Sequence, residues 1–214
     1  MKIKEPTARR RKGRPLSFDR DVALNQAMQL VWQHVYYATS LNDLTTALGV
    51  TPSSIYTVFG DKKGLFLAAV ERYVSGGPVT SQGIIDGAAT ARDAAWGRLQ
   101  AAAIGSRGAD TPAGCLLASS AISCSDAASE VKETLAGMRR GIEAMLEQRI
   151  AKAIASGELP RSADANALAG HVMAVIQGIS TLARDGAPRE KLLRVAATAM
   201  QAWPGREGAD AADH

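Results

Sequence analysis

Four hydroxyl-bearing side chains, Ser53, Ser54, Tyr56 and Thr57, crowd into the stretch PSSIYTVFGDKK over residues 52–63, with Lys62 close behind. Wound as a helix, the stretch turns Ile55, Val58 and Phe59 toward a core and leaves the hydroxyls on its open side. Short hydroxyls give and take hydrogen bonds without the bulk that keeps a helix out of a nucleic-acid groove. Tyr56 has the length to reach a phosphate oxygen, and Lys62 adds charge beside a helix terminus that is already positive. Ser40, at the first turn of the preceding helix, meets the backbone from the other side. This is the chemistry of phosphate and base-edge recognition. For individual contacts a plain reading competes: Thr57 fits a neutral surface position about as readily as a base reader.

Bond-making chemistry finds no comparable constellation. There is no Gly-rich phosphate loop, no Cys/His cluster at metal-ligand spacing and no nucleophile-elbow sequence, and His34, His171 and His214 are scattered. The sequence therefore predicts no catalytic residue, no metal and no cofactor.

The elements that must position the hydroxyls read as helix, tight turn, helix. A helix from Ser40 to Gly49 buries Leu41, Leu44 and Leu48, and Gly49 supplies the turn conformation that side chains resist. Thr51 caps the next helix, whose first turn accepts Pro52 because that N–H has no intrahelical partner. A helix from Ser17 or Phe18 to Trp32 precedes the pair, with Ser17 as its cap and Leu24, Ala27, Met28 and Val31 on one face. Asp61 caps a fourth that points Leu65, Phe66, Ala69, Val70 and Tyr73 inward. Apolar residues recur at helical spacing nearly throughout, without a convincing alternating stretch, so the class is all-α.

Charge is unevenly spread. The formal net charge is +4, yet residues 1–14 hold seven of the 25 Lys and Arg (Lys2, Lys4, Arg9, Arg10, Arg11, Lys12 and Arg14) against Glu5 alone. The rest of the chain carries 18 basic and 20 acidic residues. The positive field is a local arm of the kind attracted to a phosphate backbone or a narrow minor groove, or else a solvated tail.

The run FDRDVALNQAMQLVWQHVYYATSLNDLTTALGVTPSSIYTVFGDKKGLFLAAVERY resembles the N-terminal domain of the TetR/AcrR family of transcriptional regulators over about residues 14–73. The succession ATS, LTTALGV, SSIYTVFGDKKGLF carries the resemblance. It implies an all-α homodimer that binds double-stranded operator DNA through its third helix and a variable C-terminal domain that takes a small-molecule inducer. By position it assigns DNA contact to Ser40, Ser53, Ser54, Tyr56, Thr57 and Lys62, with Thr51 as cap. The family usually has Gly at the place of Val35. A β-branched residue resists the left-handed conformation that such a Gly serves, so a differently shaped end of the first helix is expected.

The predicted organisation is a basic arm over 1–14, a helix-turn-helix domain over 15–74, a regulatory and dimerisation domain over 75–204 and a tail over 205–214. SGGPVTSQGIIDGAAT at 75–90 reads as a break, and helices are expected near 90–106, 113–123, 126–156, 164–185 and 188–203. Val131, Leu135, Met138, Ile142 and Met145 form one long seam. On 164–185, Gly170, Ala174 and Gly178 form a small-residue stripe beside an apolar one. With Leu192, Val195, Ala199 and Trp203 they are the expected interface with a two-fold mate, as the resemblance also implies.

Under the same resemblance an inducer pocket lies in the C-terminal domain, with Trp96, Cys115, Met138, Met145, His171 and Gln177 as candidate lining, although burial in the core explains most of them better. GCLLASSAISC holds Cys115 and Cys124 and resembles a segment of a family branch with electrophile- or oxidant-sensing members. Cys115 is thus a candidate reactive thiol as well as a small buried hydrophobe, with only the distant Arg107 and Asp110 charged nearby. Two cysteines are too few for a disulfide framework and fit a reducing compartment. No run of about eighteen apolar residues or signal core is apparent, so a cytoplasmic location is expected. The rival to an inducible regulator is an architectural DNA binder or an interaction module without an inducer; a fully packed C-terminal domain would favour it.

Overall fold

The computed structural model describes residues 18–76, 80–108, 111–119 and 129–205. The arm residues Arg9, Arg10, Arg11, Lys12 and Arg14, the cap candidate Ser17, Cys124 and most of the tail lie outside them. No strand occurs among the described residues.

The helices are α1 (Arg20–Ala38), α2 (Leu41–Leu48), α3 (Pro52–Phe59), α4 (Lys62–Ser75), α5 (Ser81–Gly87), α6 (Ala91–Gly105), α7 (Leu116–Ser119), α8 (Ser129–Ala155), α9 (Ala165–Arg184) and α10 (Arg189–Ala199). Local chemistry places their starts. The Asp19 carboxylate accepts from the Asp21 and Val22 amides at 2.8 and 3.2 Å, so Asp19 caps α1. Ser40, Thr51, Asp61, Thr80, Thr90 and Asp164 each take a backbone amide of the helix that follows. Gly49, at φ 62°, closes α2 in the left-handed conformation and makes the sharp turn into α3.

Four expectations need correction. Helix α1 does not stop at Trp32 but runs to Ala38, through position 35 without a break; no glycine is needed there because the backbone stays right-handed. The break at 75–90 contains α5, started by the Thr80 hydroxyl. The helix expected at 113–123 starts later, at Leu116, because Gly114, at φ 84°, leaves right-handed helical space just before it; its expected end lies outside the described residues. Last, α10 ends at Ala199 and tightens into a 3-10 turn over Met200–Ala202 before Trp203.

Helices α1 to α4 share a core of Leu24, Ala27, Val31, Leu44, Ile55, Leu65, Phe66 and Val70. Their spacing is tight: a Cβ at Gly64 would overlap the Phe59 carbonyl oxygen, so only glycine lets α4 start so close under α3. Arg72 fastens α4 to α1 through Asp21 at 2.9 Å and Asn25 at 2.8 Å. In the second half, α6 and α9 cross at the centre, flanked by α8 and α10, around Ala95, Leu99, Leu135, Leu146, Ile150, Val172, Ile179 and Leu192.

Helix α9 is long and apolar enough by composition to cross a membrane, a property not apparent from the sequence run. Here it packs against α6, α8 and α10, starts on Asp164 and ends at Arg184, as a core helix of a helical domain does.

Candidate nucleic-acid interface and effector cavity

The candidate DNA-facing surface is built on two caps. The Ser40 hydroxyl accepts from the Asp43 amide at 3.1 Å and donates to the Asp43 carboxylate at 2.7 Å, while that carboxylate also takes the Ser40 amide at 2.8 Å. These bonds hold the Asp43 carboxyl below its ordinary range and fix the entrance to α2. At the next entrance the Thr51 hydroxyl lies 2.9 Å from both the Ser53 and Ser54 hydroxyls and receives the Ser54 amide at 3.3 Å. A connected patch of three hydroxyls results, with Ser54 half-buried and Ser53 exposed.

Ile55 is fully buried beneath α3, and Tyr56, 54% exposed, stands out from it. The Thr57 hydroxyl donates back to the Ser53 carbonyl at 2.8 Å, leaving its oxygen lone pairs and methyl group outward. Lys62 follows at the first turn of α4; partial burial lowers its pKa, against which Asp43 acts to keep the charge. Together these groups present hydroxyls, a phenol and an ammonium on one exposed side of two short helices. That surface can hydrogen-bond phosphates and base edges.

On the far side of α4 lies a cavity of about 180 Å³. Its walls come from Tyr73 and Val74 (α4), Ser81 and Ile84 (α5), Arg98, Ala101, Ala102 and Gly105 (α6), Cys115 and Leu117, Arg139 and Ile142 (α8), and Met173, Ile176 and Gln177 (α9). The Tyr73 hydroxyl donates to Cys115 Sγ at 3.4 Å. Burial raises the Tyr73 pKa far above the ordinary phenol value, with repulsion from the thiol adding to it. Burial also lowers both arginine pKa values, Arg139 being further disfavoured by Arg140.

The same corner joins the two halves of the chain. Trp32 stacks edge-on against Tyr73 at 4.8 Å and donates its Nε1 proton to the Gly114 carbonyl at 3.0 Å. Arg184 of α9 donates to the Trp32 carbonyl at 3.1 Å, the Cys115 amide donates to Ser180 Oγ at 2.8 Å, and Lys63 pairs with Glu130 of α8.

Two families match along the chain. Residues 23–69 match the bacterial regulatory proteins of the tetR family, and residues 98–200 match the tetracyclin repressor-like C-terminal domain. The HTH-type transcriptional repressor ComR of Escherichia coli K12 is 36% identical over 194 residues, 90% of this chain and 92% of its own. The chain belongs to the TetR family of transcriptional regulators.

Among solved structures, a cysteine mutant of the TetR family regulator CifR, complexed with 26-bp double-strand operator DNA, is similar at TM-score 0.85 and 34% identity, covering 90% of this chain and all of that one. Reduced NemR of E. coli shares the fold at TM-score 0.72 and 22% identity, over 84% of this chain and 94% of its own.

Within this TetR-family fold, the structure brings Ser40, Thr51, Ser53, Ser54, Tyr56, Thr57 and Lys62 together across α2, α3 and the start of α4. Of the candidate lining residues, Cys115 and Gln177 border the cavity. Trp96, Met138 and Met145 do not; each is half-buried and packs against the core. His171 does not either, because its Nε2 donates to the Ala199 carbonyl at 3.1 Å and ties α9 to α10. The α9 stripe is open to solvent at Ala174 and Gly178 and half-open at Gly170, and Val195 and Ala199 of α10 are half-buried. Leu192 and Trp203 are removed from the expected mate-facing set, since both are buried inside their own protomer at 0% and 8% exposure. The sequence reading missed Tyr73, Arg98 and Arg139 as cavity walls and Trp32 as the joint. Cys115, expected to have only distant charges, has these two arginines around its cavity.

Proposed function

We propose that this regulator represses transcription in the cytoplasm as a homodimer that grips a palindromic operator and lets go when a small molecule or a thiol-reactive compound enters the cavity. Residues 15–74 are the reading head, assisted by the basic arm of residues 1–14, and residues 75–204 sense and dimerise. Ser53, Tyr56 and Thr57 face the groove, Ser40 and Lys62 brace the phosphates, and Thr51 with Ser54 holds the entrance to α3. The exposed small-residue face of α9, with Val195 and Ala199 of α10, packs on the two-fold mate and fixes the distance between the heads. It admits close helix contact because Ala174 and Gly178 add almost no side chain.

One observation carries the regulatory reading: Tyr73 belongs to the last helix of the reading head and is also a wall of the cavity, bonded to Cys115. A ligand that displaces this contact acts on α4 and, through Trp32, on α1. The coupling needed is about 1–3 kcal/mol, the scale of a hydrogen bond and an aromatic contact. The cavity also argues against a packed architectural binder.

The test is selection of bound sequences from random duplex DNA at about 150 mM salt, where weaker non-specific attraction is damped. A palindrome should emerge, and alkylation of Cys115 with iodoacetamide should weaken its binding about tenfold. Absence of any enriched sequence would refute sequence-specific repression. Unchanged operator affinity after complete alkylation would remove the thiol route.

A further inference from the structure

The cavity holds two guanidinium groups, Arg98 from α6 and Arg139 from α8, and no carboxylate among its described lining residues. Arg139 donates to the Leu117 carbonyl at 3.0 Å. Arg98 has no hydrogen-bond or ion-pair partner among the described residues, although Arg149, also partly enclosed, pairs with Glu158 at 3.3 Å. Taking a cation out of water without a counter-charge costs several kcal/mol, so among the described residues the two guanidinium groups give the cavity an unneutralised positive charge beside apolar walls. Ile84, Ile142, Met173 and Ile176 make its greasy walls.

Resting on the reading of this cavity as the effector site, we propose that the effector is a small monoanionic organic acid. Its carboxylate is held by Arg98, with Arg139 as second donor, and its apolar body lies against Ile84, Ile142 and Ile176. A planar guanidinium and a carboxylate match as a two-point fork, a geometry an alcohol or neutral amide cannot reproduce. The cavity volume of about 180 Å³ leaves room for a small branched or aromatic acid such as benzoate. Arg98 is also close enough to interact electrostatically with both Tyr73 and Cys115, so the acid group arrives beside the contact that joins the two halves of the chain.

The experiment is calorimetric titration of the full-length protein without DNA, using isovalerate, benzoate and 4-methylbenzoate, each against its uncharged amide. At least one acid should bind, with its amide at least tenfold weaker. Arg98→Met, which keeps the buried stem, should weaken the acid about 10- to 100-fold, whereas Arg98→Lys, which keeps the charge but loses the fork, should fall between the wild type and Arg98→Met. Arg139→Met should show the same direction with a smaller loss and stands in if Arg98→Met fails to fold. Acid and amide binding alike, full acid affinity in both methionine variants, or no binding by any of the three acids would overturn the proposal. Operator affinity is then measured separately with the bound acid. Release of DNA supports both readings; acid binding that leaves operator affinity intact keeps the anion site and discards its regulatory role.

Discussion

Tyr73→Phe isolates the most consequential hydroxyl of the protein, because phenylalanine keeps the ring packed against Trp32 while removing the donor to Cys115 Sγ. Burial keeps this phenol protonated well above its ordinary value near 10. In the unfolded chain it ionises normally, so the unfolded state releases a proton that the folded state retains. The resulting stabilisation is fully present below about pH 10 and is lost as pH rises through the unfolded value toward the raised folded one. With the folded phenol still neutral, the loss per protomer is about 0.8 kcal/mol at pH 10.5 and about 1.4 kcal/mol at pH 11, relative to pH 8. Urea unfolding followed by circular dichroism at fixed protein concentration reads this as a midpoint falling roughly 0.5 M further in the wild type than in Tyr73→Phe between pH 8 and 11. Other lysines and tyrosines titrate in both proteins and cancel in the difference. At neutral pH the variant should lose about 0.5–1.5 kcal/mol for the missing hydrogen bond. Parallel pH profiles in the two proteins would refute the picture of a sequestered phenol.

Lys62→Gln should weaken operator binding and flatten its dependence on salt, with the slope of log affinity against log salt falling by about one per protomer; fluorescence anisotropy between 50 and 200 mM salt, a span over which such contacts respond strongly, measures it, and an unchanged slope would free Lys62 from phosphate contact. Ala174→Glu should place facing carboxylates in the α9 seam and weaken the dimer about 100-fold, a cost of about 3 kcal/mol; sedimentation at micromolar concentration checks it, and an intact dimer would locate the interface elsewhere.

The reading head was legible because its instructions are local. Thr51, Pro52, Gly49 and Asp61 each dictate a cap or turn within four residues of themselves, and Ile55 between exposed hydroxyls declares which side is covered. The start of α1 falls two to three residues later than expected because serine and aspartate are both able caps by residue type, and the Asp19 carboxylate takes the Asp21 and Val22 amides. The cavity was illegible for a different reason. Tyr73, Arg98 and Arg139 stand 25 and 41 residues apart along the chain, and meet only through the packing of α4, α6 and α8. A signal was nonetheless present. Arg98 falls four residues after buried Ala94, and Arg139 four after buried Leu135 and three before buried Ile142, so both guanidinium groups stand in register with a covered stripe. Leu192 and Trp203 failed in the opposite sense: an apolar stripe announces that something covers it without naming which neighbour does.

The bonds of Trp32 bear on how such regulators can be recombined. Its indole and its carbonyl are both engaged by the second half of the chain, through Gly114 and Arg184, although Trp32 itself belongs to the first helix of the reading head. A chimaera that swaps reading heads by cutting in the linker after α4 therefore inherits a foreign side chain at the point where, under the proposed coupling, its sensor pushes. For the transplanted sensor to govern a new operator, Trp32 and Tyr73 have to travel with it, and the natural crossover runs through the interior of α1 and α4 rather than between domains.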